Sequence, residues 1–291
     1  MSYILAADVG GTKLAAALFD KNQQLLSTKE VASDNTNRET LFACLINSFA
    51  KLCAEKEVTF KEISKVSIGV PGIVDIEKGI AVYQNNIPWE NFPICTRLTE
   101  VFPHAHIKMD NDVYIATWGE YRARKFSKET MVYVTLSTGI SCCTVVNSEF
   151  LRGTGLAGEI GFSIVDNDGT TLEESVAGPA IETLGRKLLG DSEIVLKDMM
   201  ELYYNGNSIV DKVLEPLVQS VEKQLQQIIL LLDPHCIVLG GGFFNHHPKI
   251  IDYIKEAIQQ RFVGTPFAGK EQIIESSIHK GEAGLYGAAI K

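Results

Sequence analysis

The stretch of sequence that decides the fold runs Ile4-Leu-Ala-Ala-Asp8-Val-Gly-Gly-Thr-Lys13-Leu-Ala-Ala-Ala-Leu-Phe19. Two short apolar runs flank the pair Gly10-Gly11, so the pattern predicts a strand, a glycine turn and a second strand. Glycine lets backbone N–H groups approach an anion, while Lys13 adds positive charge and Thr12 adds a hydroxyl donor. Asp8, at the end of the first strand, can hold a hydrated Mg²⁺. The segment therefore predicts a phosphate loop, with an ordinary glycine-turn hairpin as the alternative.

The spacing within this loop excludes two common nucleotide-binding motifs. Neither G-x-x-x-x-G-K-[ST] nor G-x-G-x-x-G is present, and no helix follows the turn. The segment instead resembles the first phosphate loop of the sugar kinase, Hsp70 and actin superfamily. That resemblance implies an α/β protein with the two-lobed, actin-like ATPase fold.

Composition and charge restrict the class of partner. The chain has 291 residues, enough for one large domain or two ordinary ones, and its 36 acidic and 27 basic residues give a net charge of −9. Without a basic cluster, nucleic acid and anionic membranes are disfavoured as partners. No apolar run reaches the length of a membrane span, and the six cysteines show no C-x-x-C spacing. We therefore expect a cytoplasmic protein with buried, unpaired cysteines.

The order β-β-β-α-β-α-β-α is predicted for roughly the first 125 residues. A second hairpin is then predicted from the strands Met131–Leu136 and Ile140–Val146, joined by the turn Ser137-Thr138-Gly139. This hairpin repeats the pattern of the first one, which indicates duplicated halves. Later predicted elements are a helix at Ile209–Leu232, a strand at Cys236–Leu239, a helix at Lys249–Phe262, a strand at Gln272–Glu275 and a helix at Glu282–Ile290.

The duplicated hairpins predict two lobes that close over a cleft. We expect a small N-terminal lobe at residues 1–113 and a larger lobe at residues 114–279. The closing helix, about residues 280–291, carries small residues suited to close packing and is expected to return to the first lobe.

Several short motifs together resemble the ROK family, whose members are mainly sugar kinases and sugar-responsive repressors. Each motif is weak alone, but their order and spacing are specific and cover nearly the whole chain. The motifs are Asp8-Val-Gly-Gly-Thr-Lys13, Gly69-Val-Pro-Gly-Ile-Val-Asp75, Asn86-Ile-Pro88, Asn111-Asp112 before a helix with Gly119-Glu120, Ser137-Thr-Gly139, Gly155-Leu-Ala-Gly-Glu-Ile-Gly161, Leu239-Gly-Gly-Gly242 and Leu285-Tyr-Gly-Ala-Ala289. The glucokinase and N-acetylmannosamine kinase branch is the most similar.

The resemblance implies that Asp112 is the general base, which takes the proton from the sugar hydroxyl as its oxygen attacks the γ-phosphorus of ATP. A carboxylate where a strand ends and a helix begins is stabilised as an anion by the helix N-terminus, in agreement with that role. The alternative is that Asp112 only caps the helix, which is a common role for Asp.

The resemblance also implies two sets of binding residues. Sugar hydroxyls would be bound by Gly72, Asn86, Asn111, Asp112, Glu159 and Glu173. The nucleotide would be bound by Asp8, Gly10, Gly11, Thr12, Lys13, Thr138, Gly139, Gly241 and Gly242. For each Asn or Glu the alternative is a solvated surface position, and for each glycine a structural turn.

Two departures from the family pattern affect the cofactor and the substrate. Many members place a histidine after the Glu-x-Gly of the loop and then a cysteine-rich zinc cluster, but here the position is Phe162 and Ser163–Thr171 contains neither Cys nor His. We therefore expect ATP and Mg²⁺ as cofactors, without zinc. The second departure is Ile140-Ser-Cys-Cys143, where relatives usually have glycines; these side chains either crowd the phosphates or pack in the strand.

The leading hypothesis is ATP-dependent phosphorylation of a hexose or N-acetylhexosamine by a homodimeric enzyme. A repressor of the same family would need an N-terminal helix-turn-helix, and only seven residues precede Asp8, so we expect no nucleic-acid partner. The remaining alternative is a sugar-binding pseudokinase, which the loss of the His and zinc ligands would allow. The sequence does not indicate which sugar is bound.

Overall fold

The computed structural model describes residues 2–137, 139–176 and 178–290, and the chain divides into two compact units. The first consists of residues 1–125 together with 282–291, and the second of residues 126–281. The division falls later than the predicted boundary after residue 113. The reason is that the helix beginning at Asp112 packs on the C-terminal helix and so belongs to the first unit.

The first unit is built on a sheet in the order β3-β2-β1-β4-β7. Strands β1, β4 and β7 are parallel, whereas β2 and β3 are antiparallel additions at one edge. The elements are β1 (Tyr3–Val9), β2 (Lys13–Asp20), β3 (Leu25–Ala32), α1 (Arg38–Glu55), β4 (Ile63–Val70), β5 (Ile73–Asp75), β6 (Ile80–Tyr83), α2 (Ile94–Val101), β7 (His106–Asn111) and α3 (Asp112–Ala123). The predicted order is confirmed except for the short β5–β6 hairpin, which was not predicted from the sequence.

Helices cover both faces of this sheet. The core on one face includes Leu41, Leu45, Phe49 and Leu52 of α1, which follow one another at spacings of three and four residues and so lie on one side of that helix. Helix α1 begins after Asn37, whose side chain accepts hydrogen bonds from the N–H groups of Glu39 and Thr40. A smaller cluster on the opposite face joins β1 and β2 to α3 and the C-terminal helix.

The second unit contains a sheet in the order β10-β9-β8-β11-β12. Its elements are β8 (Met131–Leu136), β9 (Ile140–Val146), β10 (Glu149–Phe150), α4 (Leu172–Val176), α5 (Gly178–Leu189), α6 (Leu196–Tyr204), α7 (Ser208–Leu232), β11 (Cys236–Gly240), α8 (Gly241–His246), α9 (Lys249–Phe262) and β12 (Ile274–Ser276). The last helix of the chain, α10 (Ala283–Ile290), belongs to the first unit.

The repeated hairpin predicted from the sequence is present in both sheets. β8 pairs with β9 antiparallel and with β11 parallel, as β1 pairs with β2 and β4. The predicted strand at Gln272–Glu275 is shorter and later, because a turn of 3₁₀ helix occupies Lys270–Ile273. No helix among the described residues is long and apolar enough to span a membrane.

Candidate active site

Three parallel strands of the first unit end at one edge of the sheet and place two carboxylates there. Register pairs Asp8 of β1 with Gly69 of β4, and Gly69 with Asp110 of β7, so that Asp112 follows directly at the start of α3. A β-carbon at position 69 would lie 3.5 Å from Asp8 Oδ1 and 3.6 Å from Asp112 Cβ. Because residue 69 has no side chain, Asp8 and Asp112 can approach each other over it.

The environment of Asp8 disfavours its charged form. Burial first, and then the neighbouring charge of Asp112, raise the pKa of the Asp8 carboxyl to about 7, while the charge of Lys13 acts in the opposite direction. A divalent cation held through water would supply the missing positive charge, and carboxylate oxygen is a ligand that Mg²⁺ prefers. The residues present therefore fit the predicted use of magnesium at Asp8.

At the start of α3, Asp112 is not the residue that caps the helix. Asn111 is the N-cap: its Oδ1 accepts hydrogen bonds from the N–H groups of Val113 at 2.9 Å and Tyr114 at 3.3 Å. Asp112 is the first residue of the helix, and its Oδ1 accepts a hydrogen bond from the N–H of the next residue, Val113, at 2.9 Å. The interpretation of Asp112 as the N-cap is therefore wrong, although the helix N-terminus does stabilise its charge.

Asn111 also joins the helix to the Pro71-Gly72 turn. Its Nδ2 donates to the carbonyl oxygen of Gly72 at 3.0 Å. Gly72 has a φ of +76°, which favours glycine, and a side chain there would overlap the carbonyl oxygen of Tyr83. The structure thus brings together two predicted sugar-binding residues, Gly72 and Asn111, beside Asp112.

Hydrogen bonds to its carbonyl groups stabilise the first glycine turn. Gly10 N–H donates to the carbonyl oxygen of Lys13 at 2.9 Å, and Ser33 Oγ donates to the carbonyl oxygen of Gly10 at 2.6 Å. Asn35 Nδ2 donates to the carbonyl oxygen of Gly11. Within the described residues, the N–H groups of Gly11 and Thr12 make no hydrogen bond, so these two amides are the ones that can bind a phosphate.

Two further predicted residues of the first unit differ in their surroundings. A β-carbon on Gly11 would lie 2.7 Å from Asn86 Cβ, so the structure brings the predicted sugar contact Asn86 to the phosphate turn. Lys13 instead pairs with Glu30 of β3 at 2.8 Å, with both side chains more than half exposed. An exposed pair of this kind is weak, so Lys13 is held only loosely away from a phosphate.

The second glycine turn, in the other unit, contacts a carboxylate. Glu173 Oε2 accepts a hydrogen bond from Ile140 N–H at 3.2 Å, and a side chain on Gly139 would overlap the same oxygen. Thr138, predicted to bind the phosphates, lies outside the described residues. Glu173 was predicted only as a sugar contact, and its position against the second hairpin could not be read from the sequence.

The predicted sugar residues Glu159 and Glu173 lie near each other. The pKa of the Glu159 carboxyl is raised, first by burial and then by the charge of Glu173. The loop that carries Glu159 is fastened to β9, because Gly158 O accepts hydrogen bonds from Cys142 N–H at 2.9 Å and Ser141 Oγ at 3.2 Å. Two acceptors at close range suit a ligand rich in hydroxyl groups.

The cysteines of the second departure pack inside the sheet. Cys142 and Cys143 are both buried in β9, which is paired with β8 along its length. Of the two possibilities left open for Ile140-Ser-Cys-Cys143, packing in the strand is therefore the one observed for both cysteines.

A cavity of about 900 Å³ opens beside the β11–α8 turn of the second unit. Gly242 lines it, whereas Gly241, with a φ of +83°, packs against Thr135 and Leu136. The cavity walls on α5 and α6 were not predicted, because neither helix was predicted from the sequence. Polar residues that line the cavity are Ser137, Glu182, Lys197, Glu201, His246 and His247.

Residues 4–290 match the ROK family. The chain belongs to the ROK family. It is similar to the N-acetyl-D-glucosamine kinase of Haemophilus influenzae, at 27% identity over 304 residues covering 97% of this chain and 96% of that protein. The N-acetylmannosamine kinase of Yersinia pseudotuberculosis is 26% identical over 301 residues, covering 98% and 97%.

Among solved structures, the fold is similar to that of a ROK family glucokinase from Streptomyces griseus in complex with glucose and AMPPNP. The TM-score is 0.82 at 23% identity, over 99% of this chain and 98% of that one. The α/β, actin-like ATPase fold predicted from the sequence is therefore confirmed.

The loop that departs from many ROK members is largely exposed in this chain. Phe162, which replaces the histidine, has 77% of its surface exposed. The segment after it is a short turn in which Asp166 accepts hydrogen bonds from the N–H groups of Asp168 and Thr170. Within the described residues, no group of three His, Cys, Asp or Glu side chains could hold a metal ion.

Proposed function

We propose that this ROK chain transfers the γ-phosphoryl group of ATP to a hydroxyl of a hexose or N-acetylhexosamine, with Asp112 as the general base. The observation that carries the proposal is the pair of carboxylates, Asp8 and Asp112, at the ends of parallel strands in an α/β protein. Ligands of such folds bind at the carboxyl ends of the strands. The sugar-kinase names of relatives that match over nearly the full length support the same reaction class.

The proposed roles of the two carboxylates differ because their surroundings differ. Asp112 stands at the first position of α3, where the helix N-terminus favours the ionised carboxylate that a base requires. Asp112 would accept the proton of the sugar hydroxyl as the hydroxyl oxygen attacks the γ-phosphorus of ATP. Mg²⁺, when bound near Asp8, would neutralise charge on the transferring phosphates.

For the sugar, we propose that Glu159 and Glu173 accept hydrogen bonds from hydroxyl groups, with Asn86 and Asn111 as further contacts. Both lone-pair directions of Asn111 Oδ1 are used by the N-cap bonds, and one Nδ2 hydrogen is used by Gly72. One Nδ2 hydrogen remains to donate to the sugar. Asn111 therefore both binds the substrate and fixes the turn at Gly72.

For the nucleotide, we propose that the amides of Gly11 and Thr12 bind phosphate and that the cavity beside Gly242 accepts the nucleoside. A volume of about 900 Å³ is within the range of small-molecule sites. Thr138 and Gly139 remain proposed phosphate contacts. A homodimer also remains a proposal, which light scattering of the purified protein tests.

A coupled assay of ADP release over a panel of hexoses and N-acetylhexosamines tests the proposal directly. We expect turnover with at least one sugar, only in the presence of Mg²⁺. The matched control is Asp112→Asn, which should bind that sugar in calorimetry without turning it over. Sugar binding by the unaltered protein with no ADP release from any sugar would contradict the proposal and support the pseudokinase alternative.

A further inference from the structure

The C-terminal helix α10 packs on α3 with almost no space between the two backbones. A β-carbon on Gly119 would lie 2.5 Å from the carbonyl oxygen of Ala283, and one on Gly287 would overlap the carbonyl oxygen of Ile115. Both contacts are with backbone, which cannot move aside as a side chain can. The position of α10 is therefore fixed relative to α3, the helix that begins with Asp112.

Strand β1 brings Asp8 to the same side of the sheet as α10. Side chains alternate between the two faces of a strand. Ile4 and Ala6 pack in the cluster that contains Ile115 and Leu285, whereas Leu5 and Ala7 pack in the opposite core. Asp8 continues the series of Ile4 and Ala6, and its carboxylate faces α10.

Gly284 of α10 is the residue that meets this carboxylate. A β-carbon at position 284 would lie 2.6 Å from Asp8 Oδ2, 2.9 Å from its Cγ and 3.2 Å from its Cβ. On the opposite side, a β-carbon at Gly69 would lie 3.5 Å from Asp8 Oδ1 and 3.3 Å from Asp112 Cα. The Asp8 carboxylate is thus enclosed between two positions that carry no side chain.

We propose that Gly284 is a positioning residue for Asp8. Because residue 284 has no side chain, the Asp8 carboxylate can occupy its observed position relative to Asp112. The backbone contacts between α10 and α3 hold residue 284 at that place. A methyl group at 284 would displace a terminal carboxylate rather than backbone, so the fold survives while the carboxylate moves. The consequence for turnover rests on the proposed function, whereas the contact itself does not.

A double-mutant cycle in melting temperature tests the contact without any activity measurement. We expect Gly284→Ala to lower the melting temperature of the otherwise unaltered protein, because the methyl group collides with the Asp8 carboxylate. In an Asp8→Ala background, two of the three close contacts are absent and Ala favours the helix more than Gly does. In the Asp8→Ala background, the change in melting temperature that Gly284→Ala causes should therefore be more favourable by at least about 3 °C than in the otherwise unaltered protein.

Two outcomes of the same double-mutant cycle would overturn the proposal. An equal effect of Gly284→Ala in both backgrounds would mean that residue 284 does not act on Asp8. If Gly284→Ala alone fails to fold, the double variant must fold, since it lacks the colliding carboxylate. Failure of both variants would equally contradict the proposed contact.

Turnover tests the positioning role. With the best sugar from the panel, Gly284→Ala should lose about 10²-fold in kcat, the size expected when a group of the site is misplaced by about 1 Å, while the sugar KM stays within about twofold. The matched control is Gly281→Ala, because a β-carbon at Gly281 would meet nothing within 4 Å. Gly281→Ala should keep the turnover of the unaltered protein.

The two proposals fail in different ways. If the unaltered protein turns over no sugar, the proposed function fails, and the melting cycle still decides whether Gly284 positions Asp8. If the unaltered protein is active and Gly284→Ala keeps more than half of its turnover, the positioning role is refuted and the proposed function stands.

Discussion

Replacing Asp112 by Asn tests the proposed base with almost no change in shape. An amide cannot accept the proton of the sugar hydroxyl, and loss of a general base typically lowers the rate by about 10²–10⁴. That loss corresponds to roughly 3–5 kcal/mol of transition-state stabilisation. Because Asn111, not Asp112, caps α3, the two capping bonds from Val113 and Tyr114 are untouched by the change.

The expected change in stability is small and composed of opposing effects. Removing a negative charge from the first turn of α3 costs about 0.3–1 kcal/mol. Against this, the charge of Asp112 raises the pKa of Asp8, so removing that charge relieves a repulsion between the two carboxylates. We therefore expect the melting temperature of Asp112→Asn to stay close to that of the unaltered protein.

The assay measures kcat by coupled ADP release, sugar affinity by calorimetry and melting temperature on the same preparations. Asp252→Asn is the matched control, since it makes the same change at an exposed position in the first turn of α9. It should behave as the unaltered protein does. If Asp112→Asn keeps more than about a tenth of the turnover, the reasoning is refuted, and Asp110, buried beside it, becomes the residue to test.

Three further outcomes are expected. Activity should depend on Mg²⁺ and be indifferent to zinc chelation, and stoichiometric zinc in a metal analysis of the purified protein would contradict this. Because the pKa of Asp8 is raised from 3.8 to about 7, the folded chain binds more protons than the unfolded chain between those values, so metal-free stability should fall as pH rises from 4 to 7. Asp8→Asn should flatten that fall in urea unfolding measured across the pH range, whereas an unchanged slope would refute the pKa shift. Asn37→Ala should lower the free energy of unfolding by about 1 kcal/mol through loss of the α1 cap, with kcat unchanged; no loss of stability would show that the cap is dispensable.

Much of the first unit was predictable because its signals are local. The alternation of apolar runs around Gly10-Gly11, the spacing of the α1 core residues and the turn at Pro71-Gly72 each depend on neighbours along the chain. The repeated hairpin of the second unit was predictable for the same reason. In contrast, α4, α5 and α6 were not predicted from the sequence. Without α5 and α6, the walls of the cavity beside Gly242 could not be predicted either.

Resemblance to the family named candidate site residues but could not assign their contacts. Asp8, Asn111, Asp112 and Glu159 were named from motifs, and Glu173 was carried over from the resemblance across the shortened loop. Only the structure showed that Asn111 takes the cap, that Glu173 lies against the second glycine turn and that Asp8 and Asp112 meet over a glycine.

The sequence by itself determined the two glycine-turn hairpins, most of the longer strands and the family, because each depends on short-range pattern or on motif order. The tertiary structure alone decided which distant residues touch the site. Gly284 is a small residue in a small-residue helix, and nothing near it in the sequence indicates that it faces Asp8. That contact exists because β1 alternates its side chains across the sheet and because α10 packs on α3 backbone to backbone, which fixes position 284 against the carboxylate.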